Sequence, residues 1–399
     1  MWTAWMIAVR FLRDGRGQTI LILFGITIGV AVIVFVTALI SGLQANIIAR
    51  TLGTQAHITL HAPDEVNHIA PAGDITRLTL EDPRPQRLRS INNWQHMRDL
   101  LDTDPMLDAV SPLVSGPAFA QRGNARRSVA LIGMDPERYL RVIPVDRDMV
   151  AGRFQPAADK VVIGHRLATE LGLRPGDRLR IDAGNGRTAT VDISGIFELG
   201  VRELDERYVY MDLKQVQTLI DLPGGVTTID LTVADIFDAD AIAARIGGLT
   251  GLKSESWMET NAQLMNALAA QRLSTRMISF FVAVSVAFGI ASVLSVSVVQ
   301  RTRQIGILRA MGAGQRQMLL VFVLQGALLG MIGAITGSIC GVLLIASFDT
   351  FGPGLFEVSV TPGLIAATMV LATTVGALAA SQPARRAARL DPVTAIRNG

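Results

Sequence analysis

Four long uncharged apolar stretches divide the chain. They run from Gly17 to Gly42, Met277 to Val299, Gln317 to Phe348 and Val358 to Ala384. Each is longer than the roughly 20 residues that an α-helix needs to cross hydrocarbon. Transmembrane helices are therefore predicted at 17–42, 277–299, 317–348 and 358–384. Ahead of the first lies a segment, 1–16, in which Trp2, Trp5, Met6, Val9 and Phe11 stand among few polar residues. That pattern fits an amphipathic helix lying at a membrane surface, with its tryptophans at headgroup level. A secretory signal does not fit: the apolar run that follows is too long, and no convincing small-residue cleavage site comes after it.

Residues 43–276 have a different pattern. They carry most of the prolines and acids, and their apolar positions alternate over short runs. Strands are predicted at Ala56–His61, Ser128–Ile132, Arg178–Asp182, Thr188–Ile193 and Arg207–Met211, and helices at His165–Leu173, Leu213–Ile220 and Ala239–Ile246. Asn185-Gly186 is a tight-turn signal joining two of those strands. The proline- and arginine-rich run 64–89 is expected to be a loop. Glu255 to Arg276 is expected to be helical and to continue into the second span. With Gln44 to Arg50 after the first span, it suggests helical stalks. Packing of that helix on its own domain would give the same apolar stripe. The fold class expected is an α-helical membrane protein with four transmembrane helices and a large α+β extracytoplasmic domain, long enough for two subdomains, between helices 1 and 2.

Composition agrees with a membrane protein bearing one large polar insertion: half the residues are hydrophobic and 18% are charged. Charge is unevenly distributed. The first 16 residues carry net +2, the loop 300–316 carries +4, and the tail 385–399 carries +3, which leaves −6 for the rest of a chain of net +3. The positive-inside rule then puts both termini and the 300–316 loop in the cytoplasm, and residues 43–276 and the short loop 349–357 outside. The predicted spans hold no ionisable group apart from Cys340, which argues against an ion or proton pathway. No basic patch interleaved with aromatics suggests nucleic acid.

Candidate chemistry is sparse. His57, His61 and His68 could suggest a metal, but no Cys or acid completes a ligand set at the usual spacing, so no metal site is expected. Asp99, Asp102, Asp104 and Asp108 are expected to cover a helix surface and the turn after it. Cys340, the single cysteine, is expected to be a small packed hydrophobe. Gly25 and Gly29, and then Gly326, Gly330, Gly333, Gly337 and Gly341, recur at close helical spacing, so close helix packing is expected on those faces. The chain has only Lys160, Lys214 and Lys253 as lysines, and no phosphate-binding loop motif contains any of them.

The most informative stretch is 300–316. It holds Arg301, Arg303, Arg309 and Arg316 with no acid; Ile305, Ile307, Leu308 and Met311 are spaced for a short helix, which Gly312 and Gly314 can end. Arg303, Gln304, Ile305, Gly306, Leu308, Arg309, Ala310, Gly312 and Ala313 resemble the cytoplasmic coupling-helix signature of FtsX-like ABC transporter permeases. Gln304 stands where that signature usually has an acid. The run Pro383 to Val393 resembles the same family's C-terminus. Layout and domain size are similar to the lipoprotein-releasing (LolC/LolE-type) and MacB-type members, and the stretches from Ile229 to Ala243 and from Lys253 to Trp257 look closer to the former. The hairpin tip at Ala183–Arg187 is shorter than the hook of the LolC type, so the chain resembles the LolE type more, or a permease with another substrate.

The resemblance implies a non-enzymatic permease. ATP and Mg would bind a separate ABC ATPase subunit, present in two copies and coupled through Arg301, Arg303, Gln304, Ile305, Ile307, Leu308, Arg309 and Gly312; Arg301, Arg303 and Arg309 would meet acids on it, and Ile307 or Leu308 would fill its groove. It also implies a second permease chain, identical or homologous, contact with membrane lipids, and a periplasmic carrier or adaptor. The work expected is mechanotransmission, moving a lipoprotein or lipophilic substrate from the outer leaflet or the periplasm. Residues proposed for its entrance are Phe35, Leu39, Leu43, Ile47, Met265 and Leu268; helix packing would use the same residues. Two other readings stay open: an efflux or envelope-lipid exporter with an adaptor and outer-membrane duct, and a regulator of a cell-wall hydrolase.

Overall fold

A computed structural model describes residues 2–14, 16–63, 89–352, 358 and 360–389. His68, most of the 64–89 run, and the tail beyond 389 lie outside the described residues. The chain forms two compact units, Met1–Ile48 with Asn266–Gly399, and Ala49–Met265.

The second unit is built on a sheet that, among the described residues, has ten strands. They are β1 (Ile58–His61), β2 (Leu107–Arg122), β3 (Ala125–Met134), β4 (Met149–Gly152), β5 (Lys160–Gly164), β6 (Arg178–Asp182), β7 (Thr188–Phe197), β8 (Tyr208–Asp212), β9 (Thr228–Val233) and β10 (Lys253–Ser256). The order is β10-β1-β9-β2-β3-β8-β5-β7-β4, with β6 bridging β2 and β7. Most pairs are antiparallel; β3 with β8 and β5 with β7 are parallel. Both faces are covered. On one, Leu131, Val161, Ile163, Val191 and Val209 pack with Leu167 and Leu171 of helix His165–Leu171 and Val216 of helix Leu213–Leu219. On the other, Tyr210 lies at ring-centroid distances of 5.1 Å from Phe197 and 5.5 Å from Tyr139, beside helix Pro136–Val142. Asp135 caps that helix, its carboxylate accepting the Glu137 N–H, and Pro136 occupies the first turn, where its missing N–H costs nothing.

Every strand and helix expected in this unit is present, with ends moved by up to four residues. The 16-residue β2 was not expected, because Pro112, Gly116 and Pro117 interrupt its pattern. The pairing explains why they are tolerated. Residues 107–113 pair with β9, 113–122 with β3 and 119–121 also with β6, so Pro112 and Pro117 each keep one edge without a partner strand, where a residue without an N–H can sit. Glu255, expected in a helix, lies instead on edge strand β10. Ser256 then caps the short helix Trp257–Thr260, accepting the Glu259 N–H. The Ala183–Arg187 hairpin is closed by Gly184 and Gly186, both at positive φ.

Four helices of the described residues, lying wholly or mostly in the other unit, are long and apolar enough to cross a membrane: Gly17–Leu52, Ala262–Gln300, Gln315–Phe351 and Pro362–Ala388. They are called here the first to fourth spans. The first continues ten residues past the expected end, taking in Gln44 to Arg50. The fourth breaks at Ala380 into Pro362–Ala379 and Ser381–Ala388. The glycine repeats set how the spans approach. A Cβ on Gly326 or Gly330 would strike the carbonyl of Gly376 or Ala372 in the fourth span. Further along the same helix, a Cβ on Gly337 would lie 2.6 Å from Val30 Cβ and one on Gly341 would lie 3.0 Å from Val34 Cβ, while one on Gly333 would strike Ile26. The third span thus meets two different neighbours in turn. Gly29 faces Val286 of the second span, 2.8 Å from where its Cβ would be, whereas Gly25 has open space. Thr27 and Thr336 hydroxyls join the first and third spans at 2.6 Å. Cys340, expected to be packed, is exposed on the outward face of the third span. Its position lies off the Gly333–Gly337–Gly341 row that packs inward.

Candidate coupling surface and membrane cavity

The arginine-bearing loop folds as a short helix, Thr302–Ala310, between the second and third spans. Gly312 ends it at φ +100°, a backbone conformation that suits glycine. The Gly312 N–H donates to Arg309 O and the Ala313 N–H to Leu308 O, so the last carbonyls are satisfied. Ile305 is fully buried. It anchors the helix in a cluster with Ala4, Ala8 and Phe11 of the N-terminal helix Trp2–Asp14, Met318 and Phe322 of the third span, and Ala384, Ala387 and Ala388 of Ser381–Ala388, the tail helix. The N-terminal helix thus helps to brace the short helix, while its Trp5 stays half-exposed.

The eight residues named for coupling divide between two faces. Arg303, Gln304, Ile307 and Gly312 are exposed, as is Met311, with Ile307 at 44% and Met311 at 72%. Leu308 instead packs against the interior cluster. Arg301 places its guanidinium 4.7 Å from the centre of the Phe11 ring, a cation–π contact that holds it to the N-terminal helix. Arg309 is partly buried. The free surface is therefore an apolar pair, Ile307 and Met311, beside the cationic Arg303 and Arg316.

The residues named for a substrate entrance are scattered. Phe35 meets Phe348 edge-on at 6.3 Å, and Leu39 packs in the same interior cluster. Leu43 and Ile47 are partly exposed, and Leu268 is buried. Met265 belongs to the other unit. A cavity of about 770 Å³ opens elsewhere, on another face of the first span. Thr37, Ile40, Ser41 and Gln44 line it with Arg272, Thr275, Arg276, Ser279, Phe280 and Ala283 of the second span and with Leu371 and Val375 of the fourth. A second groove, of about 570 Å³, lies between the first two spans around Gly25, Gly29, Phe281 and Val286. Only 11% of the second span's most apolar window is buried, against 50% for the third, so the second span offers most of its surface to lipid or another chain. Sequence reasoning passed over Gln44, Arg272 and Arg276. The signal available was an arginine pair four residues apart, directly before an uncharged span.

In the soluble unit, His57 Nδ1 lies 3.1 Å from Val233 O and from Val233 N, and burial lowers its pKa. His61 Nε2 lies 3.9 Å from Glu255. Among the described residues no three His, Cys, Asp or Glu side chains are grouped to hold a metal ion. The aspartates at 99, 102 and 104 pair with Arg98, Arg138 and Arg245, respectively.

Comparison with known proteins matches residues 19–249 to the MacB-like periplasmic core domain and residues 276–392 to the FtsX-like permease C-terminal domain. Full-length relatives include the lipoprotein-releasing system transmembrane protein LolC of Xylella fastidiosa, 26% identical over 98% of both chains. LolE of Haemophilus influenzae is 24% identical over 93% of this chain and 92% of its own. Identity this even does not place the chain with one of the two, whatever the length of its hairpin. MacB of Shewanella sp., a macrolide export ATP-binding/permease protein, is 26% identical over 98% of this chain but only 60% of its own. Among solved structures, the periplasmic region of MacB from Actinobacillus actinomycetemcomitans aligns at a TM-score of 0.36 and 16% identity, over 55% of this chain and 95% of that one. With two domain matches that together take in most of its length, the chain belongs to the FtsX-like ABC transporter permeases that carry a MacB-like periplasmic core domain.

Proposed function

We propose that the chain is the transmembrane subunit of an ABC transporter that relays force rather than forming a hydrophilic channel. The short helix Thr302–Ala310 receives the push of a separate ATPase subunit, two copies of which serve two permease chains, identical or homologous. ATP and Mg bind that partner. The termini and the short helix face the cytoplasm and the α+β domain faces the periplasm, a placement that the arginine distribution supports. The cargo is a lipoprotein or another lipophilic molecule taken from the outer leaflet or the periplasm, and a periplasmic carrier or adaptor receives it. The relationship to LolC and LolE favours lipoprotein release over drug efflux, because those relatives are matched along almost their full length.

One observation carries the reading. The short helix is anchored by Ile305 on one side and offers Ile307, Met311 and Arg303 on the other, so it can pass on force from a docked partner to the N-terminal helix and the third span. The test is a reconstituted transporter with its ATPase, in which ATP turnover and release of an acylated lipoprotein from the membrane are both measured. Arg303→Glu with Ile307→Glu is expected to cut cargo release by at least tenfold while the permease stays folded. Release at the wild-type rate would refute the docking role.

A further inference from the structure

Arg272 and Arg276 sit four residues apart on one face of the second span, at the end remote from the short helix Thr302–Ala310. Both are exposed, and neither forms an ion pair among the described residues. Like charges at this spacing repel one another along a helix. No acid of the described membrane unit relieves them: Asp349 accepts the Val358 N–H at 3.4 Å instead. Both arginines line the 770 Å³ cavity. So does Gln44, which is 92% buried and whose Nε2 has no hydrogen-bond partner. A buried amide N–H₂ without an acceptor is costly unless an occupant supplies one. Away from the arginines the lining turns apolar, through Phe280, Ala283, Val284 and Ala287. From Arg276 to Ala287 a helix rises roughly 17 Å, about one leaflet of hydrocarbon.

We propose that this cavity binds an anionic phospholipid of the surrounding bilayer. The two guanidiniums take its phosphate, the Gln44 amide donates to a headgroup or glycerol oxygen, and an acyl chain lies along Phe280 to Ala287. Paired guanidiniums fit phosphate oxygens through several charge-assisted hydrogen bonds. A net charge of two positives favours a headgroup with net negative charge over a zwitterionic one. The occupant is resident lipid, and its binding depends neither on the cargo nor on the ATPase.

The full-length permease, purified without its ATPase or nucleotide, is placed in nanodiscs of equal phosphatidylglycerol and phosphatidylcholine. Lipid retained after mild detergent extraction is then counted by native mass spectrometry. The wild type is expected to keep phosphatidylglycerol at least tenfold over phosphatidylcholine. Arg272→Gln with Arg276→Gln should remove that preference, and Arg272→Lys with Arg276→Lys should keep part of it. Arg385→Gln with Arg386→Gln, in the tail helix, should leave it unchanged. Each variant is first shown to match the wild type in thermal melting and gel filtration. Equal retention of the two lipids by the wild type would overturn the proposal, as would an unaltered preference in the double Gln variant. Acylated protein in the cavity in place of phospholipid would overturn it too, by making the site a cargo site. Failure of the transport reading would leave these lipid counts unaffected.

Discussion

Ile305 and Ile307 are two residues apart and point opposite ways. Helical spacing was visible in the sequence, but the face turned inward was not, because both faces of this short helix hold apolar residues. The structure resolves it through packing: Ile305 is fully buried under the N-terminal and tail helices, and Ile307 is left outside. Ile305→Ala is expected to cost about 2–4 kcal/mol by leaving a cavity. Ile307→Ala should stay within about 0.5 kcal/mol of wild type in thermal unfolding, yet weaken co-purification of the ATPase. Asp230 is another residue whose role the sequence concealed. It lies on β9 between Thr59 and Ser111, is buried, and is hydrogen-bonded to Thr59. Burial pushes its pKa up from 3.8 to about 7. Between those values the folded domain holds a proton that the unfolded chain has released, so stability falls as pH rises from about 4 to about 7 and levels off above. The full span is on the order of 4 kcal/mol. Asp230→Asn should flatten this dependence in denaturant titrations across that range. A slope unchanged by the substitution would contradict it.

At the scale of elements, the spans were legible because twenty or more uncharged residues leave few alternatives to a membrane helix. Their neighbours were harder to read. The glycine row of the third span suggested close helix packing without naming the partner, and the structure divides it between the fourth and first spans. Cys340 lies off that row and faces outward, which composition cannot reveal. In the soluble unit, the strands found from sequence alternate cleanly. The long β2 was hidden by its prolines, which are tolerated because Pro112 and Pro117 each pair with a neighbouring strand on one edge alone. The glycines give a test. Gly330→Val would drive a side chain into the Ala372 carbonyl and should destabilise the helical bundle by more than about 2 kcal/mol. Gly25→Ala meets open space and should be neutral or slightly stabilising through better helix propensity. Melting temperatures in one detergent separate the two, and equal losses would contradict the packing described.

At the scale of the whole molecule, the proposed work is transmission between two compartments. In the proposed function a partner ATPase would push on the exposed Ile307–Arg303 surface, and the α+β domain would act on cargo in the other compartment. The absence of ionisable groups from the four apolar runs, Cys340 aside, favours this over a polar conduit. The most direct measurement is sidedness. Single cysteines are introduced as Arg303→Cys and Asn185→Cys in a Cys340→Ser background and labelled in spheroplasts with a membrane-impermeant maleimide. Asn185→Cys is expected to be labelled in intact spheroplasts, and Arg303→Cys only after permeabilisation. Labelling of both positions from the same side would contradict it.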